Sequence, residues 1–146
     1  MAEHSPIRNG NIIVDLYDVP TFVIGHLVRH NVGFTPFVST LRKDRANLKE
    51  IPNRETLNNL QFNGNFQAFI SISRKRLCNC TSAETREAWN MVRDTIATVE
   101  PVLASIMVRE CIYRGFCPEM KSCGYCDTKK YIEELSKYRI KEVKNG

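Results

Sequence analysis

The sequence predicts an α/β (α+β) fold, a small sheet packed with helices, as one domain over residues 1–146. Three observations predict it. The chain has 146 residues, 42% apolar and 25% charged, which is the size and make-up of one globular domain. An early stretch, Asn11-Ile12-Ile13-Val14-Asp15-Leu16-Tyr17, is β-branched and apolar and reads as a strand. Later stretches instead repeat their apolar residues at helical spacing.

Taken in order, residues 1–10 read as a flexible N-terminal arm closed by the turn pair Asn9-Gly10. The strand over 11–17 ends at Asp18-Val19. Pro20 suits the first turn of a helix, where its missing N–H is not needed. A short helix is predicted over 20–31, carrying Phe22, Val23, Leu27 and His30, and Gly33 and Pro36 then punctuate a loop. Residues 40–53 are polar and charged and read as a surface loop. A short helix is predicted over 54–61, with Asn63-Gly64 as a break. Phe66, Phe69, Ile70 and Ser73 recur at i, i+3, i+4 and i+7, which predicts a helix over 65–76; the alternation from Phe69 to Ser73 leaves a strand open.

Thr81 with Glu84 has the spacing of a capping box. The helix behind it places Trp89, Val92, Ile96 and Val99 on one face. Pro101 breaks that helix or restarts it through Val102, Leu103, Ile106 and Met107. Residues 111–126 form a Cys-rich and Gly-rich segment, and 127–138 read as a final helix followed by a basic tail. There is no internal repeat and no low-complexity tract.

Twenty-one Lys and Arg against 16 Asp and Glu give a net charge of +5. A basic balance suits an anionic partner such as a nucleotide, a phosphorylated cofactor or nucleic acid, and equally an ordinary solvated surface. No run of apolar residues is long enough for a transmembrane helix. No secretory leader is visible either, so the expectation is a cytosolic protein without a membrane partner. Six cysteines then point to metal binding, redox chemistry or simple burial ahead of disulfides. No Ser-His-Asp order, Walker loop, Gly-x-Gly-x-x-Gly or His-Glu-x-x-His motif is present.

Three groups of residues carry candidate chemistry. Arg29-His30 is followed by Ser39, and an Arg fork matches a phosphate bidentately. Arg74-Lys75-Arg76 closes a predicted helix, where cations complement the dipole and also suit a phosphate. Cys111, Cys117, Cys123 and Cys126 offer four thiolates, enough for tetrahedral zinc, and Cys123-x2-Cys126 has a usual chelating spacing. Cys78 and Cys80 stand upstream.

These residues also resemble a family. Phe22 through Arg29-His30-Asn31, then seven residues, then Ser39, is similar to the Arg-His-Arg, seven residues, Ser signature of flavin-dependent thymidylate synthases. Asn65 through Arg76-Leu77-Cys78 to Glu84 and Arg86 is similar to that family's Asn-x-Arg, Leu-Arg-x-Cys and Glu-x-Arg segment. Cys111 through Cys117-Pro118-Glu119 to Ser122-Cys123-Gly124 is similar to its C-terminal segment.

The resemblance implies a homotetramer with shared active sites and a mechanism without a cysteine nucleophile. Reduced FAD would carry a one-carbon unit from methylenetetrahydrofolate to C5 of dUMP, or of a related pyrimidine nucleotide, and NADPH would reduce the flavin. It implies FAD contacts at Arg29, His30 and Asn65, and substrate contacts at Ser39, Arg76, His26 and Arg42. The pattern differs at Asn31, Phe37, Leu41 and Gln67, and the family's N-terminal segment is expected to be missing, as in a shortened member that, if of viral origin, acts in the host cytoplasm. Two other readings stand beside it. One is a catalytically degenerate member that binds nucleotide or acts as a scaffold. The other, weakened by the absence of any finger spacing or aromatic RNA-binding motif, is a basic nucleic-acid-binding module.

Overall fold

The computed structural model of the chain describes residues 5–42, 45 and 51–145. Residues 1–4 of the expected arm, and 43, 44 and 46–50 of the surface loop expected over 40–53, lie outside them. The described residues form an α+β fold in which three antiparallel strands are joined by six α-helices. The strands are β1 (Asn11–Pro20), β2 (Phe34–Val38) and β3 (Leu57–Asn65), in the order β1-β3-β2. The helices are α1 (Thr21–Leu27), α2 (Phe66–Arg76), α3 (Ala83–Val99), α4 (Pro101–Ile106), α5 (Glu110–Arg114) and α6 (Lys129–Asn145). Among the described residues no helix is long and apolar enough to cross a membrane.

The strand read at 11–17 continues to Pro20 through an irregularity between Leu16 and Val19, where Asp18 takes a φ of 53°. The Asp18 N–H donates to Asn59 Oδ1 at 3.1 Å, giving the interrupted ladder a side-chain partner. Three expectations are corrected in this sheet. The predicted helix over 54–61 is instead a turn leading into β3, the central strand. Leu57 and Leu60 suggest helical spacing, but Asn58, Leu60, Phe62 and Gly64 alternate inward at period two. The buried Asn58 amide is tolerated because its Nδ2 donates to the Ser39 carbonyl at 3.0 Å.

The loop expected around Gly33 and Pro36 is in fact β2. Pro36 is accommodated because β2 is an edge strand, where a missing N–H need not interrupt a ladder on both sides. Gly64, read as a break, stays in β3 because a Cβ there would come within 3.0 Å of the Phe69 ring. Gly33, at φ +67°, permits the turn before β2, and a Cβ there would meet the Asn65 side chain at 2.6 Å.

One face of the sheet packs on α1, α2 and α3. Phe34, Phe62, Phe69 and Trp89 form an aromatic stack, with Phe62 and Phe69 lying 5.9 and 6.1 Å from Trp89. The Trp89 Nε1–H donates to Ser73 Oγ at 2.9 Å, and that hydroxyl donates to the Phe69 carbonyl at 2.7 Å. Every polar atom this stack buries therefore has a partner. The helix expected over 65–76 is found as α2, with Asn65 as its N-cap.

The N-terminus of α3 differs from the expected Thr81–Glu84 box. Ser82 is the cap and accepts from the Thr85 N–H, while the Thr81 hydroxyl turns back to the Lys75 carbonyl. Trp89, Val92 and Ile96 are buried as expected, but Val99 lies exposed on the last turn. Pro101 restarts the chain as α4, occupying the first position of the new helix. The final helix runs past the expected 138 to Asn145 and takes in the basic tail. A second, smaller core of Cys111, Ile112, Tyr125, Tyr131 and Tyr138 joins α5 to α6. The described part of the arm is a 3-10 turn over Ser5–Arg8. It is tied to the body by Ile7 and by the Gly10 carbonyl, which accepts from the Phe66 N–H.

Candidate phosphate site and thiol cluster

The end of α2 meets the end of α1. Arg76, in the last turn of α2, donates from Nε to His30 Nε2 at 2.8 Å and from Nη2 to the His26 carbonyl at 2.6 Å. The second bond has a local cause. The last carbonyls of α1 have no intrahelical donor, and the guanidinium supplies one. Nη1 and the second Nη2 hydrogen bond no acceptor among the described residues. Arg29, which is exposed, adds a second cation close enough to act electrostatically on both Arg76 and His26.

Both histidines are held neutral. Burial, and then the Arg76 guanidinium, push His30 down to about 4. Burial lowers His26 as well, followed by Arg76, Arg29 and Arg54. Because Arg76 donates to His30 Nε2, the imidazole proton belongs on Nδ1. His26 Nδ1 lies 2.8 Å from the buried Thr85 hydroxyl, which in turn accepts from the Ser82 hydroxyl at 2.9 Å. Thr85 and Ser82 therefore fix the site from the start of α3. Sequence reading missed both, and a second hydroxyl beside the cap position was the only signal available.

A pH dependence follows. The unfolded chain takes up a proton at His30 near the ordinary 6.5, whereas the folded chain does so only near 4. This contribution to stability is complete above about 6.5 and declines as pH falls toward 4. The urea midpoint is expected to be lower at pH 5 than at pH 7. The difference should shrink in His30→Gln, whose amide oxygen can still accept from Arg76. An equal fall in both proteins would exclude His30 as the cause.

The other expected site residues are placed elsewhere in the fold. Ser39 gives its N–H to the Asn59 carbonyl and lines a hollow of about 290 Å³ on the open sheet face with Tyr17, Phe37 and Gln61. Asn65 sits at the opposite end of α2 from Arg76, about 16 Å away at 1.5 Å per residue. Its Oδ1 accepts from the Ala68 N–H at 2.9 Å. The Arg42 N–H donates to Thr40 Oγ1. A larger hollow, about 570 Å³ between β1 and α3, contains none of these residues. Asp15, Asp18, Glu84 and Glu87 line it, so it repels a phosphate.

The C-terminal cysteines gather around another point. Cys111, Cys117, Cys123 and Cys126 all line one small cavity, and Cys78 joins them from beyond the end of α2. All six cysteines are free thiols. Burial, then the neighbouring Cys126, push the Cys111 thiol up to about 12, and Cys78 is the main cause that raises Cys80 to about 11. Neither is a thiolate nucleophile at neutral pH. Among the described residues, no three Cys, His, Asp or Glu side chains already stand as a set that could hold an ion.

No protein-family model matches the chain, and no curated protein matches it in sequence.

Proposed function

We propose that the chain binds a pyrimidine deoxynucleotide by its phosphate at Arg76 and Arg29. We further propose that it acts as a flavin-dependent thymidylate synthase-like protein, with dUMP or a close relative as substrate. The observation that carries this reading is the Arg76 fork. It is held on one side by a neutral histidine and a helix-end carbonyl, and it keeps donors free beside a second, exposed cation. A fixed guanidinium loses little freedom on meeting a phosphate, and its remaining donors suit phosphate oxygens. The three sequence blocks resembling the family support the same reading.

The fit to a flavin is partial within one chain. Arg29 offers an exposed cation to its phosphates. His30 is engaged with Arg76, and the Asn65 amide is engaged as a helix cap. A flavin would therefore draw its remaining contacts from neighbouring copies, in keeping with the homotetramer and shared sites that the resemblance implies. Bound there, FAD would supply the redox and one-carbon carrying chemistry, with NADPH and methylenetetrahydrofolate as co-substrates. The chain's own part is to hold the nucleotide phosphate and to keep His26 and His30 neutral beside it.

A second reading, a nucleotide-binding member without catalysis, is favoured by one observation: His26, His30, Arg76 and Asn65 all carry bonds that also serve the fold. A visible spectrum of the purified protein with added FAD separates the two. The expected result is a flavin band that shifts on adding dUMP, with tritium released from C5 of labelled dUMP. Nucleotide binding by calorimetry with no flavin band selects the second reading. Binding of neither ligand would sink both.

A further inference from the structure

Five thiols from two distant stretches face one cavity of about 10 Å³, the scale of a single water or ion. Cys78 follows α2, Cys111 lies on α5, and Cys117, Cys123 and Cys126 belong to the segment after it. Packing does not account for that segment. Between Gly115 and Gly124 it has neither helix nor strand, and its large apolar side chains, Phe116 and Met120, are exposed. Apolar burial therefore does not hold it in place.

The two stretches are brought together by contacts other than the thiols. Arg109 donates from Nη1 to Asn79 Oδ1 at 2.6 Å, stacks on Tyr125 at 4.1 Å and pairs with Glu134 at 3.5 Å. Arg74 lies 3.6 Å over the Tyr113 ring. These contacts fix the backbone that carries Cys78 against the backbone that carries Cys111 and Cys126. The thiols themselves are not closed around a common centre. A sulfur coordinates only as it gives up its proton, so closure and metal binding would occur together. Rotation about χ1 between staggered positions re-aims a Cys sulfur without moving the backbone.

We propose that this cavity is a thiolate site for one divalent cation of the zinc class, closed by Cys78 and three of the other four thiols. Four thiolates suit a tetrahedral borderline-soft cation and not a hard one such as magnesium. On binding, each coordinating S–H gives its proton to solvent and a sulfur–metal bond forms, with no change of oxidation state. The ion would join the C-terminal segment to the end of α2, two residues beyond Arg76. It would fix the otherwise unsupported stretch from Gly115 to Gly124.

The test uses the full chain, kept reduced with a phosphine and stripped of metal with a chelator, then titrated with cobalt(II). The expected result is one cobalt per chain. It should show the thiolate-to-cobalt charge-transfer band and tetrahedral d–d bands, both displaced by zinc and accompanied by proton release. Cys78→Ser should bind cobalt more weakly and with a shifted band. Met120→Ala should keep the wild-type band, since Met120 is exposed and does not line the cavity. A wild-type chain that gives no band, with thiols that react with Ellman's reagent equally fast with and without zinc, would overturn the site. An unchanged band and affinity in Cys78→Ser would overturn the role of Cys78. Circular dichroism of each variant separates loss of metal from loss of fold, and the wild-type titration stands alone if a variant does not fold.

Discussion

Arg76→Ala is expected to weaken dUMP binding by about 1.5–3 kcal/mol, or about 10- to 150-fold in Kd, the usual effect of losing a charge-assisted hydrogen bond. Isothermal calorimetry reads it directly. Arg76→Lys should recover only part of the loss. A lysine offers a point charge and cannot reach His30, the His26 carbonyl and a phosphate in the planar geometry of the fork. Removing the guanidinium also takes the donor from the His26 carbonyl, so the comparison needs variants shown to be folded by circular dichroism. Unchanged nucleotide affinity in a folded Arg76→Ala protein would remove Arg76 from the phosphate site.

Trp89→Ala is expected to have the largest effect on stability, about 3–5 kcal/mol. The ring is fully buried, stacks on Phe62 and Phe69, and bonds the one buried serine of α2. Against the roughly 5–15 kcal/mol by which most domains are stable, this is a large fraction of the total. Trp89→Phe keeps the stack and gives up mainly the Nε1–H bond, so it should lose only about 1 kcal/mol. Ser73 keeps its bond to the Phe69 carbonyl. Urea unfolding followed by circular dichroism is the measurement, because Trp89 is the only tryptophan and its fluorescence goes with it. A loss below about 1 kcal/mol in Trp89→Ala would contradict its central place in the core.

What sequence reading recovered, and what it missed, divides along physical lines. The helices α2, α3 and α4 were legible because their apolar residues recur at one period and Pro101 marks a boundary. β1 was legible from its β-branched run. β2 and β3 were not. β2 contains a proline that only an edge position accommodates, and β3 buries Asn58 and Gly64, residues chosen by what they meet across the sheet. Arg29, His30 and Arg76 stood out as a motif, but the bond between His30 and Arg76 joins the ends of two helices and leaves no local trace. The same holds for Cys78. Its spacing to Cys111 means nothing until Arg109 draws Asn79 against the C-terminal segment.

The strand order β1-β3-β2 has a consequence for synthesis. β1 and β2 leave the ribosome first, yet they do not pair with each other. Each has its ladder with β3, and Asn11 finds its partner only when Asn65 has emerged. Until then Ile13, Tyr17 and Phe37 belong to strands with no neighbour, in a nascent chain whose sheet is closed by its last strand. Closing those long loops comes before the aromatic stack can form on them. β3 therefore sets the moment at which the sheet can first assemble.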